Sequence, residues 1–278
     1  MHYSPPVSHP VLRMNFILTR LARTGVLVLV MHALPAFSAT FVTTAVADTS
    51  IYQNHPDYNL GGTTLVSGTN QQYSNSRALF SFDLSALPAG AIVTSVQVSL
   101  YVTRRPDPDQ HGGPVNSDFS LYRALQNWTE GSGSAVTGSP ASTGDTTWND
   151  LHYNVTGDNW ATPGGQIGTD FASVPSATTS VGDVGLYLWG SSPELVADVQ
   201  SWLDSPSTNA GFALISESEN VAGTARRFAS GEQPGGGIPA PTLSVTYQMA
   251  PEPDRMLLLF IGVGAATFRR RTSRRLSE

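Results

Sequence analysis

The stretch Ala91-Ile92-Val93-Thr94-Ser95-Val96-Gln97-Val98-Ser99-Leu100-Tyr101-Val102-Thr103 decides the fold. Ile92, Val96, Val98, Leu100 and Val102 alternate with Ser95, Gln97, Ser99, Tyr101 and Thr103. A period of two is the mark of a strand with one buried face. On its N-terminal side, Leu87-Pro88-Ala89-Gly90 reads as a turn, and Arg77 to Leu84 as a strand with Phe80, Phe82 and Leu84 on one apolar face. On its C-terminal side the pattern predicts strands at Phe119 to Leu125, Phe212 to Ile215, Ala225 to Phe228 and around Leu243, Val245 and Tyr247. It also predicts one at Val184 to Trp189, with Val184, Leu186 and Leu188 directed inward.

Helical spacing occurs in one internal segment, at Leu195, Val196, Val199, Trp202 and Leu203. Ser192 is placed to cap it, Pro193 suits its first position, Glu194 its first turn, and Ser205-Pro206 stops it. Arg104 to Gly113, with two prolines and two glycines, reads as a surface loop. Residues 129 to 145 form a longer Gly/Ser/Thr-rich loop, of the kind that is usually functional or disordered. Many short runs in a body of about 200 residues predict an all-β protein: a single jelly-roll-type β-sandwich with one short helix and one core.

The chain has 278 residues, no cysteine, and no lysine, so all 15 basic residues are arginine. Nine of these lie in the termini; residues 39 to 250 hold six, against 18 Asp and Glu, which puts the body near −12. Such a field keeps a protein soluble and repels nucleic acid. Without cysteine there is no disulfide framework and no thiol chemistry. His55, His111 and His152 are isolated and lack zinc-ligand spacing.

Both ends carry targeting features. Arg13, Arg20 and Arg23 precede the apolar run Gly25 to Met31, and small residues follow at Ala36-Phe37-Ser38. This is the layout of a signal peptide over residues 1 to 38, with Met14 as a second start. Cleavage after Ser38 fits, and so does cleavage after Ala47. At the other end, Pro251-Glu252-Pro253 precedes the apolar run Met256 to Phe268 and then Arg269, Arg270, Arg271, Arg274 and Arg275. A helix over that run would be about 20 Å long, short of a roughly 30 Å hydrocarbon core. Snorkelling arginines extend its reach, and their charge places this end in the cytoplasm. The order of box, apolar segment and basic finish over residues 249 to 278 resembles the PEP-CTERM sorting signal. That resemblance implies processing by an exosortase, passage through the inner membrane, and a Gram-negative bacterium that exports polysaccharide.

Several phrases of the body add up in order and spacing: Ala47-Asp48-Thr49, Asn59-Leu60-Gly61-Gly62, Ser76 to Leu84 and Ala91 to Val96. Later ones are Trp128-Thr129-Glu130-Gly131, Thr147-Trp148-Asn149, Asp198 to Trp202, Gly211 to Leu214 and Phe228-Ala229-Ser230-Gly231-Glu232. Over residues 46 to 248 they resemble the DNRLRE domain family, although the letters of that name do not occur as a string. The resemblance implies a non-catalytic, carbohydrate-binding-module-like sandwich on a secreted or cell-surface protein. Some related modules bind alginate-like acidic polysaccharides.

Sugar binding needs flat aromatic faces and hydrogen-bonding forks. Tyr52, Tyr58, Tyr73, Tyr153 and Trp160 are the aromatic candidates; Trp148 and Trp202 read as core. Arg77, Arg226 and Arg227 are rare cations that either clamp a uronate carboxylate or pair with Asp83 or Glu232. Calcium often staples such sandwiches, and Asp48, Asp107, Asp109, Glu217 and Glu219 are the acidic groups near turns, without EF-hand spacing. Glu130, Glu194, Glu217 and Glu219 offer carboxylates for glycoside hydrolysis, but no spacing pairs them, and neither a nucleophile elbow nor a phosphate loop is present. The expectation is therefore an exported, non-catalytic protein that binds or organises extracellular polysaccharide. Alternatives are a structural surface protein with protein partners only, or a polysaccharide lyase or hydrolase.

Overall fold

The computed structural model describes residues 38–109, 113–135, 137–232 and 237–249. Residues 1 to 37 of the expected signal segment lie outside them, as do Pro251, Glu252, Pro253, Arg269, Arg270 and Arg271 of the sorting motif. Among the described residues no helix is long and apolar enough to cross a membrane.

Alternating sequence becomes strand almost throughout. In chain order these are β1 (Ser38–Tyr52), β2 (Tyr58–Asn59), β3 (Leu65–Thr69), β4 (Asn75–Phe82), β5 (Ala91–Arg104) and β6 (Ser117–Arg123). Then come β7 (Ser139–Pro140), β8 (Ala177–Val181), β9 (Gly185–Trp189), helix α1 (Pro193–Asp204), β10 (Phe212–Ser216), β11 (Arg226–Phe228) and β12 (Thr242–Met249). The protein is all-β, built on a large antiparallel sheet in the order β1-β12-β5-β11-β3-β4-β10-β6-β8, with β9 also on β5. Two strands change partner along their length. β1 pairs with β12 through Ser38–Thr44 and with β4 from Ala45 onward, across a bulge at Val46. β3 pairs with β11 through Leu65–Ser67 and with β4 through Gly68 and Thr69. Strands that change neighbours carry a sheet round a corner. Val96, Val98 and Leu100 of β5 therefore share one core with Phe80 and Phe82 of β4 and Phe212 of β10.

α1 forms as its sequence predicts. The Ser192 hydroxyl accepts from the Leu195 amide at 3.0 Å, satisfying one of the unpaired donors of the first turn. Leu195, Val199 and Trp202 face the core, and the Trp202 ring meets Phe212 edge-on at 4.8 Å. Trp148 and Trp202 are both buried, as expected.

Two inward-facing assignments are corrected. In β5 the register steps from Thr246↔Ser95 to Tyr247↔Val93, leaving Thr94 unopposed. The extra residue inverts the alternation, so Val93 points inward and Ile92 is 49% exposed. In β9 the inward residue is Trp189, fully buried, with its indole N–H donating to the Phe119 carbonyl at 2.7 Å. The large ring claims the core side, and Val184, Leu186 and Leu188 are exposed.

The long Gly/Ser/Thr-rich loop runs into a packed cover that follows it. Trp148, Leu151, Trp160 and Phe171 lie over Ile51, Leu79, Tyr122, Ala213 and Ile215, making a second core on the outer face of β1, β4, β6 and β10. Asn59 docks this segment. Its Nδ2 donates to the carbonyls of Glu130 (2.6 Å) and Thr146 (3.1 Å), and its Oδ1 accepts from Gly61 (2.9 Å) and Gly133 (3.1 Å). A Cβ at Gly61 would stand 2.2 Å from the Glu130 carbonyl oxygen, so only glycine fits.

Candidate functional site

The body's scarce cations gather where β11 meets β5. Arg226 and Arg227 are adjacent on β11, so their side chains leave on opposite faces. Arg226 is 1% exposed. Its guanidinium donates to the carbonyls of Gly182, Gly223, Thr224, Ala225 and Val115 at 2.6 to 3.1 Å. With its donors so engaged it is a structural fork. It is neither the carboxylate clamp nor the ion-paired residue that its sequence suggests.

Arg227 lies directly opposite Arg104 in the β11–β5 register, beside a bulge. Like charges at opposed positions repel, and no carboxylate pairs with either guanidinium among the described residues. The neighbouring Arg105 binds Asp183 at 2.7 Å, but Asp183 is 80% exposed, so that pair is weak and exchangeable. Arg104, Arg105 and Arg227 line one groove of about 410 Å³, with the buried Arg226 at its wall, so three of the body's six arginines offer their charge there. Tyr52 and Asn70 also line it. Burial pushes the Tyr52 phenol up to about 12, against the opposing pull of Arg227. At neutral pH Tyr52 is therefore a neutral hydroxyl, able to donate a hydrogen bond. Asp107 also lines the groove; its Oδ1 accepts from the Asp109 amide at 3.0 Å in an Asx turn. Guanidinium forks, amides and a phenol together suit a carboxylate-bearing ligand.

Of the expected ligand contacts, the structure brings Tyr52 and Arg227 to this groove, while Arg226 is held in the wall behind it. Trp160 is a correction: it is buried in the second core, 5.5 Å from Phe171, with its indole N–H on the Thr147 carbonyl. Tyr58 stacks on His55 at 4.9 Å, and Tyr153 is half-buried within the covering segment, its carbonyl accepting from the Gly144 amide. Arg77 binds Glu219 bidentately at 2.8 and 2.7 Å, so its partner is neither Asp83 nor Glu232. It also donates to the carbonyls of Gly164 and Gly165 and lies 5.7 Å over the Trp148 ring, pinning the cover to β4.

The expected calcium set is likewise dispersed. Glu219 is occupied by Arg77. Glu217 accepts from the Tyr122 hydroxyl at 2.9 Å; burial, and then this bond, push that phenol up to about 12. Asp107 and Asp109 are exposed at the groove loop. Asp48 alone stands in a carboxylate cluster, and its companions are Glu130 and Glu232, with one oxygen of each within 4.8 Å of the others. Asp48 is 1% exposed. Burial, then the charges of Glu232 and Glu130, raise its carboxyl to about 8 despite the Gly231 amide. Burial also raises Glu130. Sequence reasoning missed Arg104 and Arg105 as groove residues; the signal present was an Arg-Arg pair in a body with so few cations. A separate cavity of about 300 Å³ beside α1, lined by Phe82, Leu84 and Trp202, lacks any cation. No protein-family model matches the chain, and no curated protein matches it significantly.

Proposed function

We propose that this chain is an exported, non-catalytic β-sandwich of jelly-roll type that binds an acidic polysaccharide through the Arg104–Arg227 groove. The observation that carries this reading is the opposed pair of arginines with no ion pair among the described residues, in a body near −12. A fold that leaves two cations facing each other loses stability there, and a polyanion restores the balance. Uronate units offer one carboxylate per sugar to the guanidinium forks, and hydroxyls to Tyr52 and the amides.

Binding is favoured over catalysis on two counts. Glycoside hydrolysis needs two carboxylates flanking the bond, and Asp107 is the one carboxylate lining the groove. A lyase reading would need Tyr52 as a base, but its phenol is raised away from neutrality. The resemblance of the body to the DNRLRE family supports a polysaccharide ligand. The PEP-CTERM-like tail supports transit through the inner membrane, handling by an exosortase, and residence at the cell surface or in the extracellular matrix of a Gram-negative bacterium. An array of acidic and neutral polysaccharides probed with the purified chain tests the reading. Retention on uronate polymers, lost in high salt, is expected; a blank array with captured protein partners would point to a structural surface protein instead. Release of reducing or unsaturated ends would establish an enzyme.

A further inference from the structure

Three distant segments each deliver one carboxylate to a single point. Asp48 comes from β1, Glu130 from the covering segment after β6, and Glu232 from the turn after β11. The arrangement is held by backbone: the Asp48 amide donates to Glu130 Oε1 at 2.8 Å, and the Gly231 amide donates to Asp48 Oδ2 at 2.7 Å. The other Asp48 oxygen, Oδ1, is buried and has no hydrogen-bond partner. Ser230 Oγ, next to Gly231, is buried and unpartnered as well. None of the ion pairs among the described residues involves Asp48, Glu130 or Glu232. Ionised carboxylates clustered about a buried, donor-less oxygen are costly, and either a proton or a cation relieves the cost.

The donor set selects the cation. All three groups are hard oxygen ligands, with neither nitrogen nor sulfur, which disfavours zinc and copper. Calcium holds its ligand oxygens at about 2.4 Å, so those on opposite sides of the ion stand about 4.8 Å apart. The three oxygens here lie within 4.8 Å of one another, close enough to share one ion, and the all-oxygen donor set is what favours calcium. Glu232 is exposed and Glu130 half-buried, leaving a side open for the waters that complete a calcium shell. We propose that Asp48, Glu130 and Glu232 form a calcium site that ties β1, the covering segment and the β11–β12 connection together. The site stands apart from the glycan reading, because none of its residues lines the groove.

The test is calorimetric titration of CaCl₂ into the purified, EDTA-treated full chain, without glycan, paired with thermal unfolding. One saturable site is expected, with a melting temperature several degrees higher in calcium than in EDTA. Asp48→Asn should abolish the site and the shift. Glu232→Gln, an exposed change that leaves folding intact, should weaken calcium at least about tenfold. The proposal is overturned if no saturable heat is seen and the melting temperature is the same in calcium and EDTA. It is also overturned if Glu232→Gln binds as the unaltered chain does, or if magnesium binds and calcium does not.

Discussion

The groove and the carboxylate cluster lie on the same strand, four residues and about 13 Å apart, and they are electrostatic opposites. Around Tyr52 the fold opposes two arginines that have no ion pair among the described residues; around Asp48 it gathers three acids, none of them ion-paired there. Two of the body's other arginines are matched with acids, in Arg77–Glu219 and Arg123–Asp198. The two places are thus opposite in sign, and each would be completed by a partner of the other sign. Their openness separates the partners. The groove is broad and suits an extended, exchangeable polyanion. The cluster is closed on its Asp48 side and suits one small ion.

The largest expected effect breaks the groove from behind. Arg226→Met removes the donors to five carbonyls and should destabilise the protein by about 3 kcal/mol or more in denaturant unfolding. Arg227→Met, one residue away, should change stability by at most about 0.5 kcal/mol. Equal costs for the two would erase the distinction between structural and ligand-facing arginine.

That distinction was not legible in the sequence, and the reason is physical. Two adjacent arginines on a strand look alike until the register says which face is buried. The helix was legible because its signals are local: Ser192, Pro193, Glu194 and the spacing of Leu195, Val199 and Trp202. β5 was legible except at Ile92, because a bulge at Thr94 depends on a partner strand far along the chain. β9 shows alternation, but alternation does not say which side is inside, and Trp189 outcompeted Leu186 and Leu188. The covering segment has no period at all, so the burial of Trp160 could not be read. Phrases carrying Asp48, Glu130 and Glu232 were all visible, yet only the fold brings them to one point.

The second prediction concerns pH and sharpens the cluster's half of the comparison. In the folded, calcium-free chain the Asp48 carboxyl is raised from 3.8 to about 8. Between those values the folded state keeps a proton that the unfolded chain has lost, so stability falls as pH rises. Melting curves in EDTA should therefore drop from pH 4 toward pH 8, and Asp48→Asn should flatten the trend. A rise with pH would contradict the assignment.

A smaller effect is expected from Tyr52→Phe, which keeps the ring and removes one hydroxyl. Affinity for a uronate polymer should fall by a few-fold, about 1 kcal/mol for one hydrogen bond, while the melting temperature stays within about two degrees. A loss as large as that from removing an arginine would shift the centre of recognition from charge to the phenol.

The groove's role is tested most directly by titrating one uronate oligosaccharide, and its carboxyl-reduced neutral counterpart, into the unaltered chain and into Arg104→Ala/Arg227→Ala. The account predicts saturable, salt-sensitive binding of the acidic form alone, weakened at least about tenfold, or about 1.4 kcal/mol, in the double variant. Equal affinity for the neutral form, or unchanged affinity in the double variant, would contradict it.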